Sequence, residues 1–327
     1  MNKKAYLSEK LFTAEIQQVP TRNGYGEGLV EAGKQDERVV ALCADLTEST
    51  RTEAFAKAFP KRFVEIGVAE QLLATVASGM ANYGKIPFIA SYAAFSPGRN
   101  WEQLRTTVAL NNVPVKIAGM HAGISVGPDG ATHQALEDMA IMRTIPNMIV
   151  IAPCDAIEAR KATLAVAKLP GPAYMRFGRE KVPVITTEKT PFKVGKAQVF
   201  REGSDVAVIA CGSLVYEALI AAEKLKGEYD VMVIDAHTIK PLDVKTIVAA
   251  AKKTGAVVTA EEAQVTGGLG GAVMEVLGEN MAVPVERVGV RDRFGQSGAT
   301  DELMDLYGLR STNIIAAIRK VLKRKDR

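Results

Sequence analysis

Short apolar runs alternate along the chain with segments of helical periodicity, a pattern typical of parallel α/β sheets. The apolar runs of the first half show no polar alternation, as expected for strands that are covered on both faces. Periodic stretches long enough for helices separate these runs. The predicted strands are 39–44, 86–91, 113–119, 148–152 and 173–177, and the predicted helices are 23–35, 69–83, 100–111, 135–145 and 156–168.

This pattern fails between residues 181 and 196, where Pro183, Pro191 and a Thr/Lys-rich stretch interrupt any helix. A second α/β run follows, so we predict two consecutive parallel-sheet α/β domains, 1–182 and 197–327, joined by a linker at 183–196. The predicted elements of the second domain are strands 205–210, 230–235, 256–259 and 285–288, and helices 214–225, 244–253, 270–278, 299–307 and 312–322.

Composition excludes several classes of partner. The 327 residues carry 41 basic and 37 acidic side chains, a net charge of +4 that is too mixed to predict nucleic acid or a membrane as partner. The N-terminus has no apolar signal core, and no run has the quality of a membrane span. Cys43, Cys154 and Cys211 lie in or beside apolar runs at unrelated spacings, which predicts reduced, packed thiols in a cytoplasmic protein.

A lone acidic residue marks the segment 66–84, in which Glu70 is the only charged side chain. Its neighbours at helical spacing are Leu73, Ala74 and Ala77, and the helix is apolar nearly all round, which predicts that it is buried. Desolvation favours the neutral carboxyl, whereas the helix N-terminus favours the anion, and a carboxyl between these influences suits proton exchange. A structural glutamate that caps its own helix is an equally open interpretation.

A glycine-rich loop, 121–134, follows the predicted strand 113–119 and holds two of the three histidines. It lies at the carboxyl end of a parallel strand, where α/β proteins bind ligands, so His121, Asp129 and His133 are predicted substrate contacts. Two histidines and an aspartate at this spacing match no recognised metal motif, and we predict no metal there. A polar turn with capping side chains is the structural alternative.

These two segments resemble the pyrimidine-binding domain of transketolases, through Gly-Val-Ala-Glu-Gln at 67–71 and Val-Gly-Pro-Asp-Gly-Ala-Thr-His-Gln at 126–134. The resemblance extends to Ala-Asp-Leu-Thr at 44–47 and to Arg-Asp-Arg-Phe-Gly-Gln-Ser-Gly at 291–298. It covers the chain from about Arg22 to the last helix. The preceding domain of a single-chain transketolase has no counterpart, and the Gly-Asp-Gly with which thiamine enzymes anchor the diphosphate is absent from the sequence.

The resemblance implies a ketol transferase that uses thiamine diphosphate and Mg²⁺, with sugar phosphates as substrates. The diphosphate and the metal would be held mainly by another polypeptide, the N-terminal section of the enzyme. Because each site would need surfaces from both halves, we expect an α2β2 heterotetramer.

The resemblance also implies roles for individual residues in cofactor binding. Glu70 matches the glutamate that shares a proton with the pyrimidine ring. Tyr92 and Phe95 match the aromatic pair that packs against this ring, although the connection from Glu70 is shorter and a third aromatic expected near Gly98 is missing. Asp45 would line the cofactor cleft.

For the substrate, Asp129 and His133 match residues that hold the hydroxyls next to the reacting carbon. His121 and His133 are expected to take part in catalysis together with Glu70. Arg176 competes with Arg179 for one of the phosphate contacts. The cluster expected to hold the sugar phosphate consists of His121, Arg22, Ser49 and Arg179.

Two other functions are open. The chain could be the β subunit of a thiamine-dependent 2-oxo-acid dehydrogenase or part of 1-deoxyxylulose-5-phosphate synthase, but loop 129–134 and segment 294–298 are more similar to transketolase. It could also be a catalytically silent binding subunit. The joint presence of Glu70, His121, Asp129 and His133 argues against this last alternative.

Overall fold

The computed structural model describes residues 1–325 and builds its larger sheet mainly from the first half of the chain. Six strands of this sheet run parallel, and the seventh is an antiparallel edge strand from the second half. The spatial order is Thr238–Lys240 (β12), Ile149–Ile151 (β6), Ala173–Arg176 (β7), Lys116–Met120 (β5), Ile86–Tyr92 (β4), Val39–Cys43 (β2) and Phe63–Glu65 (β3).

A second sheet of five strands follows, and four of these strands are parallel. Its order is Val285–Val290 (β14), Val257–Gln264 (β13), Val206–Ala210 (β10), Val231–Asp235 (β11) and the antiparallel Gln198–Arg201 (β9). A two-stranded ribbon pairs Gln18–Pro20 (β1) with Lys181–Pro183 (β8).

Helices cover the faces of both sheets, because the strands between them are apolar on both sides. Those of the first half are Thr21–Gln35 (α1), Glu53–Ala58 (α2), Glu70–Asn82 (α3), Trp101–Gln103 (α4), which continues as a π-helix at Leu104–Ala109, Asp138–Arg143 (α5) and Ala156–Ala167 (α6). Those of the second half are Leu214–Lys224 (α7), Val244–Thr254 (α8), Leu269–Asn280 (α9), Thr300–Leu306 (α10) and Ser311–Lys325 (α11). No helix among residues 1–325 is long and apolar enough to cross a membrane.

The predicted fold class, two consecutive α/β domains with parallel sheets, is confirmed. Each predicted strand is present within a few residues, whereas β1, β3, β8, β9, β12 and α2 are too short to give a periodic signal. Strand β12 belongs to the second half of the sequence but extends the first sheet, so the two halves share one edge. All three cysteines are free and buried.

The prediction that helix α3 is buried nearly all round is wrong. Its inner face, with Leu73, Ala74 and Ala77, is fully buried in the core of the first domain. Its outer face is exposed and carries Gln71 and Thr75 as well as Leu72, which has 51% of its full accessibility. The lack of charged residues after Glu70 therefore did not mean that the helix is buried on every side.

Candidate active site

The predicted site residues follow four strands that are neighbours in the larger sheet, β7, β5, β4 and β2. Asp45 follows β2, Tyr92 ends β4, His121 follows β5, and Arg179 follows β7. Carboxyl ends of parallel strands meet at one edge, which brings these side chains together although they are far apart in sequence.

Glu70 is the first residue of α3 and is only 4% exposed. Its carboxylate does not cap the helix; instead, Arg99 Nη1 donates to Oε2 over 3.3 Å. Asn100 Nδ2 donates to the Glu70 carbonyl over 2.9 Å and fixes the start of the helix against the next segment. The capping interpretation of Glu70 is therefore not supported, and the buried carboxyl has a half-exposed cation as its neighbour.

An aromatic wall connects Glu70 to the histidine loop. The rings of Tyr92 and Phe95 are nearly parallel, with centroids 6.1 Å apart and planes inclined by 22°. Arg99 lies 4.3 Å over the Phe95 ring. On the other side, Tyr92 packs on His121 at 4.0 Å, and the Phe95 ring meets the edge of His133 at 5.3 Å. Such aromatic contacts add about 0.5–1.5 kcal/mol each to simple burial.

His121 is held as a neutral imidazole. It is 2% exposed, and Arg22 Nη1 lies 2.9 Å from its Nε2. Burial, together with the charges of Arg22 and Arg179, lowers the pKa of His121 to about 3. Because the guanidinium can only donate, Nε2 accepts and Nδ1 carries the proton. Nδ1 is buried without a partner among the described residues, so it is a free N–H donor.

Three arginines converge around His121 and give this edge a positive charge. Arg22 also donates to the Ser49 carbonyl over 2.9 Å, so Ser49 contributes its main chain to this arrangement. Burial, followed by the proximity of Arg51 and Arg179, lowers the pKa of Arg22. Cations that repel one another in a partly buried position favour an anionic ligand. The sequence analysis missed Arg51, because a lone arginine in a loop carries no local signal.

The structure separates the two competing arginines. Arg176 is buried, donates from Nε to Asp138 Oδ2 over 2.9 Å, and binds the Glu262 carbonyl over 2.8 Å. Arg179 instead faces the loop, where Nη1 donates to Asp129 Oδ1 over 3.2 Å and to the Val126 carbonyl over 2.9 Å. Arg176 has a structural partner for its charge, so Arg179 is the one available to a ligand.

The histidine loop takes its shape from glycines and from the second domain. Gly130 has φ +74°, and a Cβ there would lie 2.5 Å from Ser297 Oγ, so only glycine fits. Gln134 Nε2 donates to the Gln296 carbonyl over 3.0 Å. The segments 126–134 and 291–298 therefore touch. His133, on this loop, has its Nδ1 2.8 Å from Thr132 Oγ1.

Glu65 holds the loop after β2 next to the start of α3, and the sequence analysis missed it. Its Oε1 accepts from the amides of Asp45, over 2.7 Å, and Gly67, over 2.9 Å. Its Oε2 accepts from Thr47 Oγ1 over 2.8 Å. Asp45 itself is exposed with φ +58°, a conformation that Asp tolerates better than most residues.

Comparison with known proteins agrees with this geometry. The family model of the transketolase pyrimidine-binding domain matches residues 17–184, and that of the transketolase C-terminal domain matches residues 195–314. The chain belongs to the transketolase family. The resemblance found in segments 67–71 and 126–134 is thereby confirmed.

Similar proteins are themselves transketolase subunits. The 6-deoxy-6-sulfo-D-fructose transketolase subunit of a Clostridium species is 42% identical over 96% of this chain and 98% of its own length. A putative transketolase C-terminal section from Methanocaldococcus jannaschii is 44% identical over 93% of this chain and 96% of its own length. A solved split gene transketolase, described as an inactive β4 tetramer, superposes with a TM-score of 0.89 at 44% identity, over 94% of this chain and 99% of that one.

Proposed function

We propose that this chain is the C-terminal subunit of a split transketolase, which transfers a two-carbon ketol group from a ketose phosphate to an aldose phosphate. The observation that carries the proposal lies at the edge of the first sheet where its parallel strands have their carboxyl ends. Buried Glu70, the Tyr92–Phe95 wall and the arginines around His121 meet there. A proton-exchanging carboxyl, a flat aromatic surface and an anion pocket are the three elements that such a reaction requires.

The pyrimidine end of thiamine diphosphate fits this arrangement. Tyr92 and Phe95 offer a ring surface, and Arg99 connects Phe95 to the buried Glu70 carboxyl. Exposed Asp45 would line the cofactor cleft. The cofactor supplies the carbon nucleophile and the electron sink for cleavage next to a carbonyl. In our proposal Glu70 exchanges a proton with a ring nitrogen of the pyrimidine, and the aromatic pair fixes the orientation of the ring.

The diphosphate and Mg²⁺ belong, in this proposal, to a partner subunit. Among residues 1–325 the group of three carboxylate or thiol ligands that lie close together is Cys154, Glu158 and Asp235, none of which belongs to the site. The exposed apolar side chains of Val68 and Leu72, at 70% and 51% accessibility, flank Glu70 and offer a surface for that partner. The solved relative described as an inactive β4 tetramer supports the need for a second chain, and we propose an α2β2 heterotetramer.

The substrate end of the site is suited to a sugar with an anionic group. Arg22, Arg51 and Arg179 would bind the phosphate, which accepts charge-assisted hydrogen bonds from guanidinium groups. His121 would donate its free Nδ1–H to a substrate oxygen.

Further contacts to the substrate would come from the histidine loop and the loop after β2. Asp129 and His133 would hold substrate hydroxyls, and the Ser49 carbonyl keeps Arg22 in place. The relative named for 6-deoxy-6-sulfo-D-fructose shows that an anionic group other than phosphate occurs within the family, and we propose a sugar phosphate for this chain.

Two further points stand as proposals. We place the division between the domains at the linker 183–196, because β8 ends at Pro183 and β9 begins at Gln198. We also propose a cytoplasmic role in pentose phosphate metabolism, supported by three free buried cysteines.

Reconstitution tests this function. The chain should be purified with and without a partner that carries the diphosphate-binding domain, and ketol transfer from xylulose 5-phosphate to ribose 5-phosphate measured with thiamine diphosphate and Mg²⁺. We expect transfer only in the complex. An assembled, cofactor-loaded complex that transfers no ketol group would contradict the proposal, and pyruvate with an artificial electron acceptor would then be tested.

A further inference from the structure

A second group of reactive side chains lies buried at the junction of the two domains. Cys154 follows β6, Glu158 lies in the first turn of α6, and Asp235 ends β11. One donor atom of each, a thiol sulfur or a carboxylate oxygen, lies within 4.8 Å of the other two. Their exposures are 2%, 2% and 0%, so solvent does not compensate their charges.

Asp235 receives no N–H or hydroxyl donor from any described residue at its carboxylate. Both oxygens are buried, and the group that faces them is the carboxyl of Glu158, another acidic side chain. The neighbouring Asp155, in contrast, accepts from the amides of Glu158, Ile185 and Thr186 over 2.6–2.9 Å. A buried carboxylate without donors is costly, and in native proteins such a group calls for an unseen ligand or a proton.

A buried imidazole nearby is also incompletely satisfied. His237, two residues after Asp235, is fully buried with its Nδ1 2.9 Å from Thr238 Oγ1, while its Nε2 has no partner among the described residues. When Nδ1 donates its proton to Thr238 Oγ1, Nε2 is left as an acceptor, which is the state of a metal-binding histidine nitrogen. His237 does not belong to this group, because its ring nitrogens do not lie within 4.8 Å of all three donor atoms.

Nearby cations do not neutralise the group. The two basic residues of α6 point elsewhere: Arg160 binds Glu31 over 2.8 Å, and Lys161 donates to the Thr187 and Thr190 carbonyls over 2.7 Å. Glu158 accepts one hydrogen bond, from the Cys154 amide over 2.7 Å, which also fixes the two ligands relative to each other.

We propose that Cys154, Glu158 and Asp235 bind a divalent metal ion of the zinc class. Thiolate and carboxylate donors in a small, enclosed group suit Zn²⁺, which accepts both ligand types. The ion would be structural, because it would connect α6 of the first domain to β11 of the second and lies apart from Glu70 and His121.

Metal titration of the full-length chain tests the site independently of catalysis. Chelator-treated protein would be titrated with Zn²⁺ by calorimetry and with Co²⁺ by absorption spectroscopy. We expect one equivalent to bind, with a thiolate-to-Co²⁺ charge-transfer band and a rise in melting temperature. Cys154→Ser and Asp235→Asn should lose the band and the tight binding, whereas Cys211→Ser, another buried thiol, should keep both.

Other outcomes overturn the proposal. A wild-type chain that shows no stoichiometric binding and no thiolate band would do so without reliance on any variant. Unchanged binding in Cys154→Ser would do so as well.

Discussion

Two regions near the carboxyl ends of strands bring charged side chains together, and they differ in how those charges are satisfied. At the open edge of the first sheet, Arg22, His121 and Arg51 face one another with donors left over. At the domain junction, Asp138 Oδ2 accepts from Arg176 Nε over 2.9 Å and from the Tyr174 hydroxyl over 2.7 Å. The first region has cations without an anionic partner among the described residues, whereas the Arg176 charge is paired within the chain.

Two buried carboxylates of the second sheet, Glu261 and Glu262, also have hydrogen-bond donors within the chain. Glu261 is fully buried, and its oxygens accept from the amides of Leu269 and Gly270 over 2.7 and 2.8 Å. Burial raises the pKa of Glu261 to about 7. Glu262 accepts from the Ser125 amide and the Ser213 hydroxyl. A carboxyl with a perturbed pKa therefore does not by itself identify a functional site.

The largest effect is expected from substitution of Glu70, at the open edge of the first sheet. We expect Glu70→Gln in the reconstituted complex to lower kcat for ketol transfer by about 10²–10⁴-fold, because positioned proton exchange contributes that much to catalysis. Steady-state kinetics at saturating cofactor would measure it. Glu53→Gln, an exposed acid paired with Lys57, is the control and should retain activity. Equal activity of both variants would remove Glu70 from the mechanism.

Arg176→Met should destabilise the fold at the domain junction, where Arg176 pairs with Asp138. The substitution leaves the Asp138 carboxylate buried without its cation, with the Tyr174 hydroxyl as its remaining donor, and we expect the free energy of unfolding to fall by about 3–5 kcal/mol in urea denaturation. The double variant Asp138→Leu/Arg176→Met removes both charges and should recover much of the loss. A single variant as stable as wild type would show that the pair does not hold the junction.

Arg179→Ala should leave the fold intact and weaken the binding of a phosphorylated sugar at the arginines around His121. We expect kcat/KM for a phosphorylated sugar to fall about 10–150-fold through KM, since a hydrogen bond to a charged group contributes about 1.5–3 kcal/mol. Initial rates with the corresponding unphosphorylated sugar give the control, and these should change little. The phosphate assignment fails if both substrates lose activity equally.

His121→Gln should remove a pH dependence of the free energy of unfolding. The unfolded chain binds a proton at His121 below its ordinary pKa of 6.5, while the folded chain does not until about 3. Wild-type stability therefore falls as pH is lowered through this window, by up to about 1.4 kcal/mol per pH unit from this group. Urea denaturation at several pH values between 7 and 4 should show a flatter curve for the variant. Parallel curves would mean that His121 is not held neutral.

Much of this protein was determined by local sequence. Runs such as Val39–Cys43 and Val206–Ala210 are apolar throughout, so they form strands covered on both faces wherever the chain places them. Glu70 and the loop 121–134 stood out because charge or histidine is rare around them. These signals identified the fold, the family and most of the residues proposed for the site.

Only the tertiary structure decided which charges are satisfied. Arg22 meets His121 across 99 residues, and Arg176 rather than Arg179 finds Asp138, a choice that no spacing in the sequence expresses. The junction of Cys154 with Asp235 depends in the same way on two domains folding together. Hydrophobic periodicity reflects the environment of a single helix or strand. Whether a charge is buried and paired depends instead on elements that are distant in sequence. The exposed face of α3 and the unpaired atoms of both regions are therefore visible only in the folded chain.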